Sequence, residues 1–176
     1  MEQVKRKIGV MISIVVVAVA LLGFMGVRHE PKSLPQKGYL APNFTLTDMQ
    51  GKTVTLSQLK GHLVYINFFA SWCPPCKMET PDIEQMYQKY GNKVDFIAIN
   101  MTPSDSLSGL KAYINSYGVT YPVFLDSQGS VESTYNVMDI PTSFFINQQG
   151  VIIDRVTGMM TPTGMQSEFS KLLATH

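Results

Sequence analysis

Only two of the 176 residues are cysteines, only three are histidines and only one is tryptophan. Two cysteines close at most one bridge, so a framework of several disulfides is excluded. A structural zinc site takes four ligands, commonly from a second CxxC or a His pair. His29, His62 and His176 stand far apart without ligand spacing, so no metal ligand set is read here. Charge is sparse as well. Charged residues make up 15% of the chain and the formal net charge is +1. Such a chain has no large basic surface to neutralise phosphates, which argues against nucleic acid as a partner. Internal repeats and low-complexity tracts are missing too, leaving no sign of a repeat architecture.

Apolar length is what the N-terminus has in quantity. Residues Ile8 to Val27 read IGVMISIVVVAVALLGFMGV, 20 residues without a charge. A helix of that length spans about 30 Å, the thickness of the hydrocarbon core. Lys5, Arg6 and Lys7 precede it, and basic flanks stay cytoplasmic. The expectation is a cytoplasmic stub at 1–7, a single transmembrane anchor at 8–27 and an exported remainder. A cleaved signal peptide is the rival, because Ala18-Val19-Ala20 resembles a cleavage site. Cutting there would leave LLGFMGV as an apolar new terminus, which weighs against it. No Cys follows the run, so it is not a lipoprotein signal. Either reading exports the cysteines to an oxidising compartment.

Residues 28–38, RHEPKSLPQKG, are polar with two prolines and read as a linker. Residues 39–176 then form one domain of ordinary size. Within it, Phe44–Leu46 and Thr53–Leu56 flank TDMQGK and predict a β-hairpin. HLVYINFFA (62–70) is nearly all apolar, as a central buried strand requires. A helix is expected over 73–90, kinked by Pro81. Strands are expected at 93–100 and 121–126. Between them 104–118 reads as a helix capped by Ser104 or Asp105 and stopped by Gly118. A short helix at 130–135, a hairpin over 142–158 turning at NQQG, and a helix at 162–174 complete the pattern. Strands alternating with helices and ending in a hairpin predict an α/β domain around a mixed sheet.

Both cysteines, Cys73 and Cys76, fall in FFASWCPPCKMETP (68–81). A staple gains most by closing a long loop, and a four-residue ring closes almost nothing. The pair sits where a strand hands over to a helix. Unpaired N–H groups and the positive dipole end at that N-terminus favour a thiolate at Cys73 and lower its pKa. Cys76, one turn further in, is expected to be more buried. Such an asymmetric pair suits thiol–disulfide exchange, one thiol attacking and the other resolving. Neither Pro74 nor Pro75 offers an N–H to the thiolate, which limits that stabilisation, while both stiffen the ring.

Counting from Cys76, residues Glu79, Ile83, Met86, Tyr87 and Tyr90 share one helix face. A carboxylate on an apolar face is costly without a partner or a task. Burial raises its pKa and suits it to proton exchange with a thiol. The alternative is that Pro81 swings the first turn outward and leaves Glu79 in water. In DIPTSFFIN (139–147), Pro141 precedes a strand. A cis Ile140–Pro141 bond there would make a tight turn and present the Ile140 backbone to an extended substrate.

WCPPC after an apolar strand, together with the distal Ile-Pro-Thr, resembles the thioredoxin superfamily. APNFTLTDMQGKTVTLSQLKG ahead of it narrows the resemblance to membrane-tethered, extracytoplasmic thiol–disulfide oxidoreductases of the ResA/TlpA-like group, over essentially all of 39–176. The resemblance implies a thioredoxin-like fold with an N-terminal hairpin. It implies Cys73 as nucleophile, Cys76 as resolving thiol and Glu79 as buried acid. It places Trp72, Pro74, Pro75, Ile140 and the cis-proline Pro141 against substrate. It implies no cofactor beyond the Cys73–Cys76 disulfide itself. Partners would be exported proteins with disulfides, apocytochrome c or envelope proteins among them, and a CcdA/DsbD-like membrane electron donor. Asn67 stands where thioredoxin has a buried Asp that exchanges protons, which leaves Glu79 that task. Peroxiredoxins carry Thr three residues before the peroxidatic Cys and Pro further upstream. Here Ala70 and Ile66 hold those places, which argues against a peroxidase. A disulfide oxidase or isomerase of the same fold, and a tethered metal-binding module, are the other readings.

Overall fold

The computed structural model describes residues 32–175. The apolar run at 8–27 and its basic flank lie outside the described residues. Among the described residues, no helix is long and apolar enough to cross a membrane. Seven strands make one sheet: β1 (Thr45–Asp48), β2 (Thr53–Thr55), β3 (Leu63–Phe69), β4 (Val94–Asn100), β5 (Val123–Leu125), β6 (Thr142–Ile146) and β7 (Ile152–Thr157). Their spatial order is β2-β1-β5-β4-β3-β6-β7. β3 runs parallel to β4, and β4 to β5; the other pairings are antiparallel. The sheet is therefore mixed, with β1 and β2 forming the expected hairpin.

β3 is buried along its whole length, as its unbroken apolar sequence demands. Alternation sends Leu63, Tyr65 and Phe69 to one face and Val64, Ile66 and Phe68 to the other. Each face meets its own core. On the first lie α1 (Pro74–Tyr90), α2 (Leu107–Tyr117) and α4 (Pro162–Leu173), through Ile83, Met86, Leu110, Tyr113, Met165 and Phe169. Phe169 is fully buried and its ring centroid stands 5.0 Å from Tyr65, 5.3 Å from Phe96 and 5.4 Å from Phe145. On the second face, Leu46, Leu56, Phe124 and Tyr135 pack over β3 and β4, with the short α3 (Ser130–Thr134) contributing Val131. The Tyr135 hydroxyl donates to the Pro42 carbonyl at 2.7 Å.

Helix ends follow local chemistry, with one correction. α2 is capped by Ser106, whose Oγ accepts from the Gly109 N–H at 3.0 Å. Ser104 belongs instead to a 3-10 turn at Thr102–Ser104, and the Asp105 carboxylate is engaged elsewhere. Gly118 ends the helix at φ 60, where a Cβ would be strained. His62 lies just before β3 rather than in it, and its Nδ1 faces Asp95 Oδ2 at 2.8 Å. The described part of the linker lies along the domain. Leu34 N–H donates to Leu40 O at 3.1 Å, Gly38 N–H to Ile152 O at 2.8 Å, and Arg155 Nη1 to Pro35 O at 3.1 Å.

Candidate active site

β3 ends at Phe69 and the chain turns through Ala70–Cys73 into α1. Cys73 is the N-cap of that helix, with Pro74 and Pro75 at its first positions. Proline suits this place, because its fixed φ is helical and its missing N–H would have had no helical partner. Cys73 and Cys76 form a disulfide with Cα atoms 5.3 Å apart. The Cys76 N–H points at Cys73 Sγ from 3.2 Å. A backbone donor is thus aimed at the sulfur even though the spacer prolines supply none. That donor stabilises a Cys73 thiolate once the bridge opens.

The expected difference in burial between the two cysteines is not found in the disulfide. Each is 2% exposed. Cys73 is covered by the loop before β6, whose Ile140 carbonyl oxygen lies 3.8 Å from its sulfur. The Ile140–Pro141 bond is cis. The asymmetry lies in surroundings: Cys73 faces that carbonyl, while Cys76 sits on the buried face of α1.

Glu79 follows Cys76 by three residues on the same face and is 1% exposed. The solvated alternative for it is thereby removed. Its Oε1 accepts from the Met160 N–H at 2.8 Å, while Oε2 is buried with no partner. Burial raises its pKa from 4.5 to about 7; the Met160 hydrogen bond opposes this and Asp82 adds to it. Next to it Thr80 Oγ1 donates to Cys76 O at 2.8 Å and also pairs with the Tyr113 hydroxyl. Asn67 is buried and donates to Ser143 Oγ at 3.1 Å, which the Tyr65 hydroxyl also meets at 3.0 Å. It takes a structural hydrogen bond in place of a titrating role.

Trp72 is 54% exposed, and its Nε1 donates to Ser104 O at 2.7 Å. Pro74 and Pro75 are exposed as well. Three segments meet at this end of the sheet: the start of α1, the loop 136–141, which reaches Cys73 through the Ile140 carbonyl, and the loop 158–161, which reaches Pro141 and Glu79. Gly158 N–H donates to Pro141 O at 2.8 Å and Met160 N–H reaches Glu79, which ties the last two in place. Each segment carries an exposed methionine: Met78, Met138 and Met159. Of the residues expected at the site, Pro74 and Pro75 lie within the disulfide ring, Trp72 and Glu79 flank it in the chain, and the loop of Ile140 and Pro141 reaches it through the Ile140 carbonyl.

Sequence reasoning missed three contributors. Met160 acts through its backbone N–H, so its side chain gives no signal. Ser71 is buried beside the turn, and Asp105 was noticed only as a possible helix cap. Among the described residues, no group of three or more His, Cys, Asp or Glu could hold a metal ion.

Known proteins agree with this geometry. A family model described as the AhpC/TSA family matches residues 38–155. Thiol-disulfide oxidoreductase ResA of Bacillus subtilis (strain 168) is 36% identical over 160 residues, covering 89% of this chain and 88% of that protein. Thioredoxin-like protein YneN of the same organism is 35% identical over 134 residues, 76% of this chain and 78% of that protein. Among solved structures, StoA from Bacillus subtilis superposes with a TM-score of 0.65 at 28% identity, covering 73% of this chain and 96% of its own. A thiol:disulfide interchange protein of the thioredoxin family from Chlorobium tepidum TLS gives 0.68 at 28% identity, covering 81% and 99%. A disulfide capping a helix beside a cis-proline, on a chain matched over most of its length by such relatives, leads to one conclusion: the chain belongs to the AhpC/TSA thioredoxin-like family and is a thiol–disulfide oxidoreductase of the ResA/StoA/DsbE type.

Proposed function

We propose that the protein is a membrane-tethered reductase acting on disulfides of exported proteins. The observation that carries the reading is Glu79, a buried carboxylate one turn from Cys76 with an unpartnered oxygen. With a pKa of about 7 it both takes and returns a proton at neutral pH. The reduced enzyme attacks first. The Cys73 thiolate bonds to one sulfur of the substrate disulfide, and the other substrate sulfur leaves as a thiolate. Cys76 then gives its proton to Glu79 and attacks Cys73 Sγ, releasing the second substrate thiolate. Two electrons have passed to the substrate, whose sulfurs take up two protons, and Cys73–Cys76 is again a disulfide. Trp72, Pro74 and Pro75, exposed at the disulfide turn, offer an apolar surface to an unfolded or extended segment. The Ile140 backbone beside Pro141 accepts and donates hydrogen bonds to it in strand fashion.

Direction is supported by context. The uncharged run at 8–27 behind Lys5, Arg6 and Lys7 fits a single-pass anchor with the domain outside the cytoplasm. Electrons for re-reduction would then come through a membrane protein of the CcdA/DsbD-like kind. Substrates of fitting chemistry are apocytochrome c, whose haem-attachment cysteines must be reduced, and disulfide-bearing envelope proteins.

The test uses the full-length chain. Wild type should reduce insulin disulfides, Cys73→Ser should abolish this, and Cys76→Ser should trap substrate as a mixed disulfide through Cys73. Activity retained in Cys73→Ser would overturn the assigned chemistry. A reduction potential near or above about −120 mV, that of a strong oxidant, would overturn the direction.

A further inference from the structure

Asp105 lies between β4 and α2, outside the disulfide ring and the Glu79 pocket. It accepts four hydrogen bonds. Oδ2 takes the Ser71 N–H at 2.6 Å and Asn100 Nδ2 at 2.7 Å; Oδ1 takes the Ser71 hydroxyl at 2.5 Å and the Ser106 N–H at 2.7 Å. Ser71 and Asn100 are both buried. Two donors on each oxygen satisfy a carboxylate and no neutral group of the same shape. Burial alone would raise its pKa; the bonds from Ser71, Asn100 and Ser106 outweigh that and hold it below the ordinary value.

The position of these donors gives the cluster its meaning. Phe69 and Asn100 are register partners at the ends of β3 and β4. Beyond them the two chains part, one into the Ser71–Cys73 turn and the other into the 3-10 turn before α2. Asp105 joins the two exits just after they separate. Next to this latch, one residue after Ser71 and one residue before Asp105, Trp72 Nε1 donates to Ser104 O at 2.7 Å. Gly109 supplies an independent sign of the same contact. A Cβ there would stand 2.9 Å from Ser71 Oγ and 2.8 Å from Ser106 Oγ, so the first turn of α2 approaches Ser71 as closely as glycine permits.

We propose that Asp105 is a positioning residue for the exchange reaction: its carboxylate latches the active-site turn to the loop after β4, and so fixes Cys73 and Trp72 for the incoming substrate. The proposal rests on Cys73 being the attacking thiol. Reacting atoms misplaced by about 1 Å lose on the order of a hundredfold in rate, so a turn freed of its latch has room for a large effect. Trp72 is the only tryptophan in the chain, and its fluorescence therefore reports this site alone.

The experiment compares full-length wild type, Asp105→Ala, Asp105→Asn and Ser106→Ala. It measures kcat and KM for insulin reduction and Trp72 emission and anisotropy. Ser106→Ala removes the cap of α2 but keeps the N–H that serves Asp105, so it is the control for a purely structural loss. Asp105→Ala should lower kcat/KM by about tenfold or more, with red-shifted and more mobile Trp72 emission. Asp105→Asn should fall between, since one of its two ends becomes a donor facing donors. Ser106→Ala should keep wild-type kcat/KM and emission while losing stability. If Asp105→Ala does not fold, Ser71→Ala, which removes one of the four bonds, should shift both readouts in the same direction by less. Unchanged kcat/KM and emission in the Asp105 variants, or an equal loss in Ser106→Ala, would overturn the latch alone. A wild type inactive on insulin would overturn the exchange chemistry beneath it.

Discussion

Glu79 is buried at a cost that its neighbours offset only in part. Met160 satisfies one oxygen, and the other has no partner. Its pKa of about 7 lies above the 4.5 of an exposed glutamate, and the sign of the consequence follows. Below 4.5 the group is protonated folded and unfolded, and its titration costs nothing. Between 4.5 and about 7 the unfolded chain releases the proton while the folded chain keeps it, so stability falls as pH rises. Above about 7 the loss is complete, on the order of 3 kcal/mol. Glu79→Gln should therefore be more stabilising, or less destabilising, at pH 8 than at pH 4.5 by about 2–3 kcal/mol. Urea unfolding of the oxidised proteins at the two pH values checks this. The place of Glu79 was legible, because its spacing from Cys76 put it on an apolar face. Its partner was not: a backbone N–H 81 residues away leaves no pattern in the sequence.

α4 shows what holds the site from behind. Its Phe169 fills the space between Tyr65, Phe96 and Phe145, and its first turn follows directly on Met160. Phe169→Ala should destabilise the protein by about 3–5 kcal/mol, the range for a fully buried aromatic, as measured by denaturant unfolding. Elements with one dominant signal were readable: β3 from an unbroken apolar run, α1 from the WCPPC motif, and the two hairpins from their turns. Ends with competing chemistry were not. Ser104, Asp105 and Ser106 are all good caps; the Asp105 carboxylate is taken by Asn100 at the end of its own strand and by Ser71 beyond the neighbouring one, and Ser106 caps the helix. The burial of Cys73 was misjudged for a similar reason, since the covering carbonyl of Ile140 comes from a distant loop.

At the scale of the molecule, parallel strands in the middle of the sheet bring their C-terminal ends together, and both the disulfide turn and the Asp105 loop grow from those ends. The fold class was recoverable because alternating strands and helices admit few mixed sheets. The convergence of loops 136–141 and 158–161 on α1 was not, because long-range pairing alone creates it. Residues 34–38 lie against Leu40, Ile152 and Arg155, so the reach of any tether is set by what precedes them. The proposed topology predicts that the full-length chain fractionates with the bacterial membrane, and that protease added outside intact spheroplasts removes the domain. Recovery in the cytosol, or protection from external protease, would contradict it.

The pH dependence of insulin reduction by the reduced full-length protein, wild type against Glu79→Gln, bears most directly on the chemistry. Wild type should show an inflection near pH 7 set by Glu79. Glu79→Gln should lose that inflection and run about a hundredfold slower at neutral pH, as removal of a general acid–base group implies. An unchanged profile and rate in Glu79→Gln would contradict the account.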